Sequence, residues 1–171
     1  LHTAIAAREL VKFSSDELNP NVAFTAGILH DIGKIVISSF LEGYAEKFVA
    51  IIDNNLAVTY EMVERKKLGV DHCQVGGYLA KAWNIPDFFE QAIVHHHTPE
   101  KAPDDFKALA FCVHVGDILA MINGAGTGAD SMRYHLNPLN TDHFNLGAEE
   151  LEALLLDVNL EAEKMEHALS E

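Results

Sequence analysis

Three consecutive histidines, His95-His96-His97, close a helix-like run, and a His30-Asp31 pair interrupts an apolar stretch that contains Ile28, Leu29 and Ile32. Imidazole and carboxylate together are metal ligands; with His2, His72 and Asp117 they could form one site gathered from several helices. Zinc, iron, manganese or nickel would suit that donor set. No glycine-rich phosphate loop and no serine-nucleophile motif competes with this chemistry.

Each residue carries its own argument. Val113, Val115, Ile118, Leu119 and Met121 surround Asp117, which predicts a buried carboxylate. Burying it unpaired costs several kcal/mol, so it needs a cation, a hydrogen-bond network or a raised pKa. His114 precedes it by three residues on the same face and could support it from behind; a partly buried core or surface histidine is the plainer reading. Adjacent helical residues project about 100° apart, so His30 and Asp31 can both reach one ion lying between them. Lys34 follows Asp31 on nearly the same face. It could pair with Asp31, bind a substrate phosphate or extend into solvent. The triplet sweeps about 200° of a helix, so its three rings cannot share one target. A surface run favoured by the helix dipole is the alternative reading of it. His2 and His72 lie near helix starts, where each alone reads as an ordinary exposed histidine. His135, His143 and His167 are expected at exposed positions, and Arg65-Lys66-Lys67 as a solvated helix face.

Helices must position these groups, because no segment alternates as a strand would. Periodicity predicts helices over Leu1–Phe13, Val22–Phe40, Leu41–Asn55 and Thr59–Leu68, the last closed by Gly69. Asp71 with Gln74 forms a capping-box signature that opens a helix to Trp83. Pro86 suits the first turn of the next helix, which ends in the histidine triplet. Asp104 or Asp105 caps a long helix to Asn123, with Gly124 beyond it. Residues 124–145 are loop-rich, and Gly147–Val158 and Leu160 onward read as two closing helices. Gly76-Gly77 inside a helix costs about 1 kcal/mol per glycine relative to alanine, which close helix packing would explain. The expected fold is an all-α bundle with the ionisable residues at its centre.

At 171 residues the chain reads as one domain, residues 1–171. Its formal charge of −14 argues against binding nucleic-acid phosphates. Cys73 and Cys112 lack CxxC spacing and read as reduced, buried thiols, which fits a cytoplasmic setting. The longest apolar stretch, Ala108 to Ile122, is too short to span a bilayer and contains His114 and Asp117, so no membrane association is expected.

In order along the chain, His, His-Asp, His, His-His and Asp resemble the HD superfamily of metal-dependent phosphohydrolases, and more closely its HD-related output domain, HDOD. The matching strings are Leu1-His2-Thr3-Ala4, Ala26 to Lys34, Asp71 to Leu79, Trp83-Asn84-Ile85-Pro86, Ala92 to Pro99 and Gly116-Asp117. The resemblance implies an HD-type helical bundle. It assigns His2, His30, Asp31 and Asp117 to a first divalent ion and His72, His96 and His97 to a second, with Asp31 bridging. His95 stands where the family more often has an aromatic residue. Many output domains are regarded as signalling modules acting through protein partners. The fuller ligand set here also admits a phosphohydrolase acting on a phosphoester, with Asp31 and Lys34 in the catalytic positions. The same ligand kinds also admit a di-iron oxygenase, as in enzymes resembling myo-inositol oxygenase. The Gly-Tyr-Pro string of the cyclic-dinucleotide-cleaving branch is missing after the paired histidines, where Thr98 to Pro103 stand. The family also carries an additional helical half upstream, so the chain is expected to lack that half.

Overall fold

Small residues set how closely the helices approach in the computed structural model, which describes residues 1–40, 59–125 and 134–170. The first helix, α1 (His2–Leu10), presents Ala4, Ile5, Ala6, Ala7 and Leu10 with no exposed surface. A β-carbon at Gly27 of α2 (Pro20–Leu29) would meet Ala4 Cα at 2.5 Å, and one at Gly116 would meet Ala7 N at 3.0 Å. Gly116 belongs to α7 (Asp104–Ile122), so α1 is gripped between two neighbours at backbone contact. From Leu109 to Ala120, α7 is buried on every face, as a central helix must be.

A second group packs beside the first. Here α3 (Ile32–Phe40) crosses α5 (His72–Ala82), α4 (Tyr60–Leu68) lies on α5, and α6 (Asp87–His95) joins α5 to α7. A β-carbon at Gly33 would sit 1.9 Å from the His72 carbonyl oxygen, so α3 and α5 touch main chain to main chain. The expected close packing at Gly76 and Gly77 is present, against Ile93 and Val94. The all-α expectation holds among the described residues; their one extended contact is an isolated bridge between Ser14 and Phe144.

Local signals fixed several boundaries. The left-handed Gly69 (φ 79°) ends α4, and Asp71 and Gln74 form both bonds of a capping box on α5. Other boundaries differ from expectation. Asn19 caps α2 by accepting from Asn21 N and Val22 N, so this helix starts at Pro20 rather than Val22. Pro103, not an aspartate, stands at the start of α7, with Asp104 and Asp105 in its first turn, where the dipole favours them. The two closing helices are one, α8 (Ala148–Ser170). Leu154, Val158 and Ala162 are buried at four-residue spacing on one face, and Asn159 points elsewhere without breaking the run. The expected helix Leu41–Asn55 and residues 126–133 of the late loop lie outside the described residues.

The expected single helix Val22–Phe40 is also wrong: it breaks into α2 and α3 at His30-Asp31. Together these 21 residues are apolar enough by composition to cross a membrane, which makes them a stronger candidate than Ala108–Ile122. The break, however, puts two polar side chains at their midpoint.

Candidate metal centre

His30 and Asp31 stand at the junction between α2 and α3, and both side chains reach one place. His30 Nδ1 donates to the Gly27 carbonyl at 2.7 Å, and Lys34 N donates to the Asp31 carbonyl at 2.9 Å, where α3 begins. At the far end of α6 the helix stops at His95, and His96 Nδ1 bonds back to the Ile93 carbonyl at 2.8 Å. His96 and His97 then turn inward with ring centroids 4.0 Å apart, while His95 stays half-buried outside the cluster.

Asp31 is the centre of the arrangement. Its Oδ1 lies 3.5 Å from His72 Nε2 and 3.7 Å from His96 Nε2; its Oδ2 lies 3.4 Å from His30 Nε2 and 2.7 Å from Lys34 Nζ. Asp117 Oδ1 is 3.3 Å from His30 Nε2. His72 Nε2 and His97 Nε2 are 3.2 Å apart. Two groups have ligand atoms all within 4.8 Å of one another: His30, Asp31 and His96, and His72, Cys73, His96 and His97. His96 belongs to both. His30 Nε2 and Asp31 Oδ1 are buried without a hydrogen-bond partner, since their neighbours stand at ion-pair distance but out of hydrogen-bond alignment. Orphaned buried atoms are rare and call for an explanation. A divalent cation among nitrogen and oxygen donors supplies one, so the residues fit the group.

Electrostatics divides the histidines. Burial pushes the His30 imidazolium down, but the Asp31 and Asp117 carboxylates raise it further, to about 10. Burial lowers His96 to about 3, helped by the His30 charge, and burial with the neighbouring His96 and His72 also holds His97 well below its usual value. Burial would raise the Asp31 and Asp117 carboxyls, yet His30 above all holds both below their usual range. In metal-free protein these shifts act in opposite directions. The His30 contribution to stability is complete below pH 6.5 and lost as pH rises through about 10. The His96 contribution is complete above pH 6.5 and lost as pH falls towards about 3. Thermal melts of chelator-treated protein should therefore peak near pH 6.5 and fall on both sides. A melting temperature still climbing at pH 9 would contradict the protonated His30.

Of the residues expected from sequence, His30, Asp31, His72, His96, His97 and Asp117 come together. Asp117 joins through His30 and, like the half-buried His2, lies outside both close groups; the two line a cleft of about 230 Å³ with His30 and Asp31. His72 is fully buried, not exposed. His114 does not brace Asp117: its Nδ1 donates to the His96 carbonyl at 2.8 Å and its Nε2 accepts from Asn137 N at 3.1 Å. His143 is half-buried rather than exposed, stacked on Phe111 and 2.7 Å from Asp16 Oδ2.

Three neighbours were missed. Glu64 is fully buried, and its Oε2 accepts from His72 Nδ1 at 2.6 Å. Tyr134 stacks on His97 with centroids 4.3 Å apart, and its hydroxyl donates to Glu61 Oε2 at 2.6 Å. Cys73 Sγ lies 3.9 Å from both His96 nitrogens; burial, then the Asp71 charge, keeps it a neutral thiol. Adjacency to His72 was the one sequence signal for Cys73.

Known proteins share this framework. A solved HDOD domain protein of unknown function from Geobacter sulfurreducens covers all of this chain and 60% of its own, with 22% identity and a TM-score of 0.69. A protein from Shewanella amazonensis SB2B, described as a candidate phosphohydrolase, covers 92% and 56% at 24% identity and a TM-score of 0.67. One from Marinobacter aquaeolei VT8, described as a candidate signal transduction protein, covers 92% and 35% at 18% identity and a TM-score of 0.74. At these identities the likeness is one of fold. An uncharacterized protein of Treponema pallidum (strain Nichols) is 27% identical over 109 residues, which is 63% of this chain and 21% of that one. The chain thus spans 60% or less of the length of each of these relatives. The sequence profile of the HDOD domain matches residues 1–99, more than half of the chain and every expected ligand but Asp117. On that match the chain belongs to the HDOD domain family.

Proposed function

We propose that this chain is a metal-binding regulatory domain, in which one or two divalent ions organise the helices and protein partners read the result. The observation that carries metal binding is the pair of buried, unpartnered ligand atoms, His30 Nε2 and Asp31 Oδ1, inside a cluster of imidazoles. His30, Asp31 and Asp117, with His2 at the rim, would hold one ion. His72, His96 and His97 would hold a second, with Asp31 between.

Regulation is favoured over turnover by access. His72 and His96 have no exposed surface, and Tyr134 covers His97. The cleft beside His30, at about 230 Å³, falls below the roughly 300–1,000 Å³ of small-molecule sites. The relative described as a candidate signal transduction protein supports the same reading.

Lys34 favours a second reading, metal-dependent phosphoester hydrolysis. Its ammonium sits 2.7 Å from Asp31 and could stabilise charge developing on a phosphoryl group. A bound divalent ion would supply Lewis acidity, polarising a phosphoryl oxygen and acidifying water towards neutrality. The relative described as a candidate phosphohydrolase points the same way.

Elemental analysis of purified protein, followed by a panel of phosphodiesters, nucleotides and cyclic dinucleotides, separates the two. The expected result is bound metal, no turnover, and loss of signalling in His30→Ala. Turnover that disappears in Lys34→Ala would replace regulation with hydrolysis; protein that takes up no metal would remove both.

A further inference from the structure

Glu64 is the only glutamate among the described residues with no exposed surface at all. A carboxylate so placed costs several kcal/mol unless its oxygens are bonded. Its Oε2 takes two hydrogen bonds from a single residue, from His72 Nδ1 at 2.6 Å and from His72 N at 2.9 Å. Arg65, next to it in sequence, pairs with Asp71 instead. Its Oε1 is buried without a hydrogen-bond partner, so both hydrogen bonds that the Glu64 carboxylate accepts come from His72.

The reason lies in where His72 sits. The other two inward histidines at helix ends, His30 and His96, anchor Nδ1 on the carbonyl three residues earlier, Gly27 and Ile93. His72 cannot do so, because it is the first residue of α5 and the residue three before it is Gly69, in the left-handed turn that ends α4. An acceptor must come from another element, and α4 provides it. With the Nδ1 proton committed to a carboxylate, the Nε2 lone pair faces Asp31 Oδ1 and His97 Nε2. Carboxylate–imidazole pairs of this kind fix ring orientation and raise ligand basicity.

We infer that Glu64 is a positioning residue, which holds His72 as an Nε2 ligand and thereby sets the affinity of the cluster's second cation position. The inference rests on the metal-binding reading above and adds to it a residue from a helix that supplies no ligand.

The test is a calorimetric titration of zinc or manganese into the full chain, with Glu64→Gln and Glu64→Leu beside the unaltered protein. Glutamine can still accept from Nδ1 but carries no charge, so the weaker of two binding steps should drop about tenfold; leucine accepts nothing, and the drop should approach 100-fold. The tighter step should stay unchanged in both. Equal weakening of both steps, or no weakening of either, overturns the inference. Should Glu64→Leu fail to fold, long-range ¹H–¹⁵N spectra of the unaltered protein decide independently: His72 must carry its proton on Nδ1, and a proton on Nε2 overturns the assignment. Protein that binds no ion defeats the metal-binding reading itself. Two ions bound as well by Glu64→Leu as by the unaltered chain defeat only the role given to Glu64.

Discussion

Alanine at Asp31 should strip the cluster of nearly all its metal. Asp31 lies within 4 Å of His30, His72, His96 and Lys34 at once, so its removal takes a donor from both cation positions. Outer partners of a ligand are typically worth 10–100-fold in affinity, and a shared ligand should exceed about 100-fold. His30 also loses one of the two carboxylates that hold its proton, so the raised pKa of His30 falls and the alkaline limb of the melting profile flattens. His95→Ala and His143→Ala are the controls. His95 stands apart from the cluster, and His143 is engaged with Phe111 and Asp16. Both variants should retain metal by elemental analysis, and equal loss from all three would mean adventitious surface binding.

Gly33→Ala should be the most damaging change of a single methyl group. The added carbon would meet the His72 carbonyl oxygen at 1.9 Å and Gly76 N at 2.7 Å, and both are backbone atoms that no rotamer change can move aside. Over-packing costs about 1–3 kcal/mol where side chains can yield. Here α3 and α5 must separate, and about 3 kcal/mol would lower the melting temperature by roughly 6–12 °C for a chain this size. Separation also draws Asp31, at the start of α3, away from His72, at the start of α5. Metal affinity should fall together with the melting temperature. A variant that melts earlier but binds metal unchanged would show that ligand spacing does not depend on this crossing.

What the sequence disclosed follows from which interactions are local. Capping by Asp71 and Gln74 and the stop at Gly69 are written within a few residues, and they appeared where expected. The inward set of histidines and aspartates was legible because polar groups in apolar surroundings demand an explanation. The break at His30-Asp31 was not, since neither residue is a helix breaker. Glu64 was hidden for a related reason. In Glu61-Met62-Val63-Glu64-Arg65-Lys66-Lys67 it resembles one more charge on a solvated face, and Arg65, Lys66 and Lys67 are indeed exposed. Only tertiary packing distinguishes it from Glu61. Tyr134 reaches His97 from a segment far along the chain, which no periodicity could reveal.

The run from Tyr134 to Asn137 has a kinetic consequence. It is fastened at Glu61 by the Tyr134 hydroxyl, at Glu100 by the Asn137 amide and at His114 by the Asn137 backbone. A cation beside His30 and Asp117 would border an open cleft and trade quickly with its surroundings. One beneath the tyrosine ring would sit behind those fastenings, so equal affinities at the two positions would still mean unequal residence times.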